Sequence, residues 1–492
     1  MESTCRGVRQ VALDQSFGID FGTTNSSVVQ FVTTSHVGEF VAYGDDEGRP
    51  IPSIVAIDRE TGEVHTGRNA WNRRSELEDT CECIPSIKRI LDDDSWSKVI
   101  AGRRWTVVDV ATEVFKALRC SAEKDGDEFD TATMAMPVGL NSKARKTLRE
   151  AARRAGIEVK AFVSEPTAAF FANYDDLKSD EHVAIFDWGG GTLDVSILRH
   201  SDGQITELAT SGMPIAGDHI DELMAQKVHA LIARDKGVRV SFDDMSPRDK
   251  DMLIVRCERA KRALSEEDDT KITLNRYGDL GVVRKLVTYE WFEEVISSTV
   301  DKAIACLDKA IVESGEPEGN IDRVVMVGGS SNLGPLYDRL ERRFGNKLFF
   351  PEETVWNISE GASLLAHQPG NYAAAQDVGI ILADGSYYPL LRTGEVVEGW
   401  HKSIDFGITD TSDMLRVVFS GSRDIDSNEQ RLRLVDVPGY RFLEERLRLD
   451  AEVDNDLVFR VRMKSNMRPD RDAKVWEYDK LKLSYGMKGW SL

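Results

Sequence analysis

Residues 183–198 read V-A-I-F-D-W-G-G-G-T-L-D-V-S-I-L: an apolar run, an aspartate, three glycines with a threonine, and a second apolar run. Gly189, Gly190 and Gly191 bring no side chains to the turn, so its backbone N–H groups can close on an anion. Asp187 and Asp194 stand at the two ends as oxygen donors of the kind that hold Mg²⁺ or its waters. Phosphate plus metal points to a nucleotide. In isolation a solvated glycine-rich hairpin would read the same, because short glycine motifs discriminate poorly. Residues 17–31, F-G-I-D-F-G-T-T-N-S-S-V-V-Q-F, repeat the pattern. Asp20 ends a strand, and Gly22, Thr23, Thr24 and Asn25 gather hydroxyls and amides where a terminal phosphate could sit. A third element, 323–331, runs R-V-V-M-V into Gly328, Gly329 and Ser330 ahead of a helical stretch, again a place for close backbone approach to a ligand. Internal repetition of this kind predicts two similar lobes, each giving a phosphate-gripping hairpin to a shared cleft.

The elements that must position these turns are legible from periodicity. Residues 107–119 and 141–155 predict amphipathic helices, as do 248–264, 288–300, 303–311, 336–344 and 359–367. Residues 51–57 and 133–137 predict strands. On the 248–264 helix Glu258, Lys261 and Arg262 fall at i, i+3 and i+4, one face on which a carboxylate and cations suit a ribose edge and a base, although such trios are commonly only solvated. Residues 368–376, Q-P-G-N-Y-A-A-A-Q, read as a linker, and beyond them the period changes from helical to two. Residues 431–437, 446–453 and 457–463 alternate, with Asp454, Asn455 and Asp456 as a turn, which predicts a meander of antiparallel strands.

At 492 residues the chain can hold two or three domains. The net charge of -21 argues against nucleic acid or an anionic membrane as the main partner, since both need a basic surface. Six cysteines without metal or C-x-x-C spacing, and an N-terminus without an apolar leader, predict reduced thiols in a cytoplasmic protein.

The three glycine elements resemble the phosphate-1, phosphate-2 and adenosine motifs of the actin/hexokinase/heat-shock ATPase superfamily. The segments V-K-A-F-V-S-E-P-T-A-A at 159–169 and C-E-R-A-K-R-A-L-S at 257–265 narrow the resemblance to the seventy-kilodalton heat-shock chaperone family, the DnaK type. The resemblance is specific from about 17 to 367 and looser to about 487. It implies a two-lobed actin-like (ribonuclease H-like) α/β ATPase domain followed by an antiparallel β-sandwich-like domain. The expected division is an extension at 1–15, an ATPase domain at 16–370 (lobe I about 16–180 and 321–370, lobe II about 181–320), a linker at 371–376, and a β-rich substrate-binding-like domain at 377–487 with no helical lid. The resemblance also implies ATP/ADP with Mg²⁺, and K⁺ as a further cation. Lys88, Glu165 and Asp187 would orient the attacking water, and Thr192 would be structural, phosphate-facing or an in-cis phosphorylation site. Asp20, Asp187 and Asp194 would hold the metal's water shell. Gly217, Glu258, Lys261, Arg262, Ser265, Gly328, Gly329, Ser330 and Asn332 would line the nucleotide. Pro137 and Arg145 match positions of domain communication.

The chain departs from the family pattern at four places. Asn332 replaces a base-stacking arginine, Ala216 and His219 replace a glycine and an aspartate, the linker lacks its run of leucines, and no lid follows the β-domain. Two functions are therefore expected as alternatives. One is an ATP-dependent chaperone whose slow hydrolysis switches binding of extended peptide or unfolded protein, with a co-chaperone or exchange factor. The other is a nucleotide-controlled module for one dedicated protein partner. A small-molecule kinase of the same superfamily is the weaker third, for want of a recognisable sugar pocket.

Overall fold

A computed structural model describes residues 16–486 apart from 35–36, 78, 238, 408–413, 422–430, 439–445 and 468–471. The expected extension at 1–15, Cys5 and residue 487 lie outside the described residues.

Two mixed sheets carry the repeat. The first is six-stranded and runs Glu158–Ser164, Thr131–Met136, Ser16–Asp20, Asn25–Thr34, Val37–Tyr43, with Ile51–Pro52 also paired to Asn25–Thr34. The second is seven-stranded and runs Leu348–Phe349, Arg323–Val327, His182–Trp188, Leu193–Ser201, Gln204–Met213, Leu483–Gly486, Asn371–Ala374. In each, an antiparallel hairpin carries the glycine turn, and its first strand pairs on the other side with a parallel neighbour. The central strands are buried on both faces, which is why they read as near-continuous apolar runs. Separate apolar cores form around the two sheets, the first with the helices Val107–Lys124 and Ser142–Arg154, the second with Gly217–Lys236, Pro247–Ala263 and Tyr289–Ser314. Thr106 starts the first of these helices with a reciprocal capping box to Asp109.

Several expectations are corrected. Residues 288–300 and 303–311 form one helix, Tyr289–Ser314, because Phe292, Ile296, Val300, Ala303, Leu307 and Ala310 keep a single buried stripe through Asp301 and Lys302. The strand expected at 51–57 breaks at Ser53, whose N–H donates to Thr24 O and whose hydroxyl donates to Gly22 O. The break lets Ile51–Pro52 join the first sheet, while Ile54–Asp58 pairs with Val64–Thr66 and Cys81–Pro85. Residues 321–349 do not return to lobe I. Arg323–Val327 extends the second sheet in parallel with His182–Trp188, and Asp322 accepts from the N–H groups of Glu181 and His182 at that junction. Only the helix Asn357–His367 goes back, packing across the first sheet and against the helix Glu165–Ala172.

The segment read as a linker carries the strand Asn371–Ala374, at the edge of the second sheet. Leu483–Gly486, expected inside the β-domain, sits between that strand and Gln204–Met213. Tyr485 fixes it there: its ring lies 5.0 Å from Tyr372 and 5.7 Å from Phe171, and its hydroxyl accepts from Gly370 N–H at 2.7 Å. Between these two strands the chain forms two four-stranded antiparallel sheets around one apolar core, beginning with Val378–Ile381. Cys81, Cys83, Cys120, Cys257 and Cys306 are free thiols, and no helix among the described residues is long and apolar enough to cross a membrane.

Tyr485→Ala should remove a buried aromatic from this three-strand junction and cost about 3 kcal/mol, read from the first urea transition of the full chain. Tyr485→Phe, losing one hydrogen bond, should cost about 1 kcal/mol. An alanine variant as stable as the parent would show that Leu483–Gly486 does not hold the junction.

Candidate functional site

The two hairpins meet face to face. A Cβ on Gly190 would stand 2.7 Å from the side chain of Thr24, and one on Gly191 would stand 2.6 Å from Thr23, so only glycine permits this approach. Gly189 O accepts from Gly217 N–H at 3.2 Å and from the Ser330 hydroxyl at 2.8 Å, and Gly190 O accepts from Asp218 N–H at 2.8 Å. The Thr24 hydroxyl donates to Asp218 across the lobes at 2.8 Å. Gly328 adopts φ +82°, and a side chain there would fall 2.6 Å from the Asp187 carboxylate. The third glycine element thus abuts the second hairpin directly.

These contacts enclose a cleft of about 390 Å³ between the lobes. Every expected site residue lines it except Asp194. Asp20, Gly22, Thr23, Thr24 and Asn25 come from the first sheet and its hairpin turn, and Lys88 from the short helical turn Ile87–Ile90 after Cys81–Pro85. Glu165 starts the helix Glu165–Ala172 after the N-cap Ser164, with Pro166 in the first turn. Asp187, the glycine turn, Thr192, Gly217 and Glu258, Lys261, Arg262 and Ser265 come from the second lobe, with Gly328, Gly329, Ser330 and Asn332 closing it. Asp194 is the cross-strand partner of Asp187 and faces a small adjoining cavity with Pro137, Glu165 and Asp187, where Thr192 donates to its carboxylate.

At the base of the cleft Lys88 Nζ donates to Glu165 Oε1 at 2.8 Å, both side chains nearly buried. Burial alone would pull the Lys88 ammonium down, but Glu165, Asp20 and Asp194 outweigh it and hold the proton more tightly than usual. Burial and the Glu165 charge push Asp20 up to about 7, against the opposing pull of Lys88. The same causes raise Asp194 to about 6 and Asp187 well above the usual carboxylate range. Four carboxylates thus crowd one ammonium, an arrangement of hard oxygen donors short of positive charge that fits Mg²⁺. Among the described residues no three His, Cys, Asp or Glu side chains cluster closely enough to ligate an ion directly. Mg²⁺ keeps several waters and needs few protein ligands, so a water-mediated hold by Asp20, Asp187 and Asp194 fits this donor set.

The expected nucleoside wall is tied together by contacts of its own. Arg262 pairs with Glu258 at 2.5 Å, and Lys261 donates to Asp221 at 2.8 Å and to Gly217 O at 3.1 Å, both also on the cleft wall. Asn332 donates to the Thr354 hydroxyl at 2.9 Å. His219 is exposed and away from the cleft lining, and Ala216 is buried in the second core. Reasoning from sequence did not single out Trp71, Arg68, Asp218 or Asp221, all cleft-lining. For Asp218 and Asp221 the signal was present, one and four residues after Gly217; for Trp71 nothing local marked it.

A family model described as Hsp70 protein matches residues 16–367, more than half of the chain and all three glycine elements.

Asp194 supplies a pH test. Its folded-state pKa near 6 exceeds the ordinary 3.8, so between those values the native state binds more protons than the unfolded chain. Its contribution therefore becomes destabilising as pH rises through that window. In metal-free buffer at pH 8, Asp194→Asn should exceed the parent in stability by on the order of 2 kcal/mol, with the gain vanishing near pH 4. Urea unfolding at the two pH values reads this directly, and a less stable variant at pH 8 would mean the protein already satisfies the charge.

Proposed function

The chain belongs to the Hsp70 family, whose members are ATPases with a two-lobed actin-like domain and chaperone-type function, and from that premise we propose that slow Mg-ATP hydrolysis in this cleft switches what the C-terminal β-domain binds. The observation that carries the proposal is the buried Lys88–Glu165 pair, set among Asp20, Asp187 and Asp194 beneath two facing phosphate-type hairpins.

Phosphoryl transfer to water needs positioning and charge neutralisation more than covalent chemistry from the protein. Thr23, Thr24 and the turn 189–191 grip the phosphates through hydroxyls and N–H groups. Lys88 places positive charge beside the terminal phosphate, and with Glu165 it orients a water for in-line attack. Asp187, whose proton affinity is raised by burial and by its carboxylate neighbours, takes the proton that the water releases. Bound Mg²⁺ supplies neutralisation of the phosphate oxygens, with Asp20, Asp187 and Asp194 holding its waters. The Glu258–Arg262 pair and Ser265 border the nucleoside.

The β-domain is the binding arm in this reading, for extended peptide or unfolded protein. One observation favours the second reading, a module for a single dedicated partner. The arm is held at both ends by strands of the lobe II sheet, and it touches lobe I through Arg149–Asp456 at 3.0 Å and Ser142 N–H to Asp479 at 3.2 Å. An arm so fixed suits a folded partner of defined shape.

ATP hydrolysis by the full chain and by Lys88→Ala, each with and without an apolar peptide, tests both. Turnover should be slow and should fall about 100-fold or more in the variant, the scale for losing one preorganised charge. Unchanged turnover would remove Lys88 from the chemistry. Stimulation by peptide would support the chaperone, and hydrolysis indifferent to peptide would support the dedicated partner.

A further inference from the structure

The cleft has a wall that the nucleotide reading leaves unused. On the helix Gly67–Leu77, Arg68, Trp71 and Arg74 fall at i, i+3 and i+6, one side of the helix. Trp71 is the one aromatic side chain among the described residues that line the cleft. Part of its ring packs on the small core of Ile54, Ala56, Ala70 and Leu77, which fixes it to lobe I. The Arg74 guanidinium lies 3.8 Å over the indole centroid and pairs with Asp251 of lobe II at 2.6 Å, both side chains largely buried. Asp251 belongs to Pro247–Ala263, the helix that also presents Glu258, Lys261 and Arg262 to the cleft. One face of the indole is thus covered by a cation that bridges the lobes to the helix bordering the nucleoside.

The other groups near that wall already have side-chain partners. Asn332 is tied to Thr354, and the Arg262 guanidinium is drawn to Glu258. A purine offers a flat face of its own, and base–aromatic stacking tolerates any base.

We propose that Trp71 is the nucleobase platform of this cleft, an aromatic ring from lobe I that stacks on the base of a nucleotide gripped by lobe II. The inference rests on the reading of the cleft as a nucleotide site. Arg74 and Asp251 act through the ring: their pair forms only when the lobes approach, so base stacking and cleft closure support each other.

The test uses the full chain in Mg²⁺ buffer, with calorimetric binding of ATP and of inorganic tripolyphosphate, which has no base. Trp71→Ala should weaken ATP binding roughly tenfold, while tripolyphosphate binding stays within about twofold. Trp71→Phe should keep most of the ATP affinity. The chain has nine tryptophans, so the ATP-induced change in tryptophan fluorescence is compared between parent and Trp71→Phe, where it should be largely lost. Equal ATP affinity in Trp71→Ala, an equal loss for both ligands, or an undiminished fluorescence change in Trp71→Phe would overturn the platform. A parent chain that binds ATP no better than tripolyphosphate would do the same. A parent that binds neither would overturn the nucleotide reading itself, a result distinct from the others.

Discussion

Asp20, Glu165, Asp187 and Asp194 are crowded around the one ammonium of Lys88, and the rest of the structure is arranged to make that crowding tolerable. Removing a carboxylate from water is costly unless a partner compensates, and here burial is the largest influence on Asp20, Asp187 and Asp194. No loop could hold such a cluster. Asp20 ends a central strand of one sheet and Asp187 stands one residue from the end of a central strand of the other, Asp194 is locked opposite Asp187 in register, and Glu165 opens a helix whose N-terminal dipole favours its charge. The strain is carried by rigid ladders, so the deficit of positive charge persists until a cation meets it.

The closeness of the lobes follows from the same requirement. Side-chain-free turns at Gly190 and Gly191 let Thr24 and Thr23 press against them. Beneath the turns, the helices Glu165–Ala172 and Asn357–His367 cross so tightly that a Cβ on Gly361 would fall 1.8 Å from Ala168 O. Residues of both sheets, including Val163, Ile185 and Val325, share the apolar cluster around this crossing with Ala362 of the second helix. A hinge so packed permits rotation of one lobe on the other far more readily than separation. The two walls of the cleft can therefore close on a ligand without losing the carboxylate cluster at its base.

Much of this was legible in the chain because the chemistry is local. Strand, aspartate and glycine turn lie within sixteen residues in the 183–198 copy, and the sequence motifs named about two thirds of the residues that line the cleft. What escaped was set by distant contacts. Trp71 sits on a helix with no motif, and only the folding of that helix toward Pro247–Ala263 brings its ring to the cleft. Lys261 lines the cleft beside Glu258 as its spacing suggests, but its pairing with buried Asp221, forty residues earlier, is a distant contact. The segment at 371–374 reads as a linker from its small and polar residues. Its strand character comes from pairing with 483–486, more than a hundred residues later, which no local pattern contains.

That pairing changes how the β-domain can speak to the cleft. A flexible tether would leave the two parts independent, whereas here both ends of the β-domain are strands of the sheet that carries Asp187. Tyr372, on the strand Asn371–Ala374, accepts at its hydroxyl from Ser164 N–H at 3.2 Å. Ser164 caps the helix that Glu165 begins, and its hydroxyl also donates to Glu207, a half-buried carboxylate on Gln204–Met213 to which the Thr167 hydroxyl donates at 3.3 Å. Burial raises the proton affinity of Glu207, so the group depends on these two hydroxyls wherever it is ionised. Tyr372 and Glu207 both meet Ser164, one residue from the partner of Lys88. A chain of hydrogen bonds thus joins the first strand of that pairing, through Tyr372 and Ser164, to the residue before Glu165.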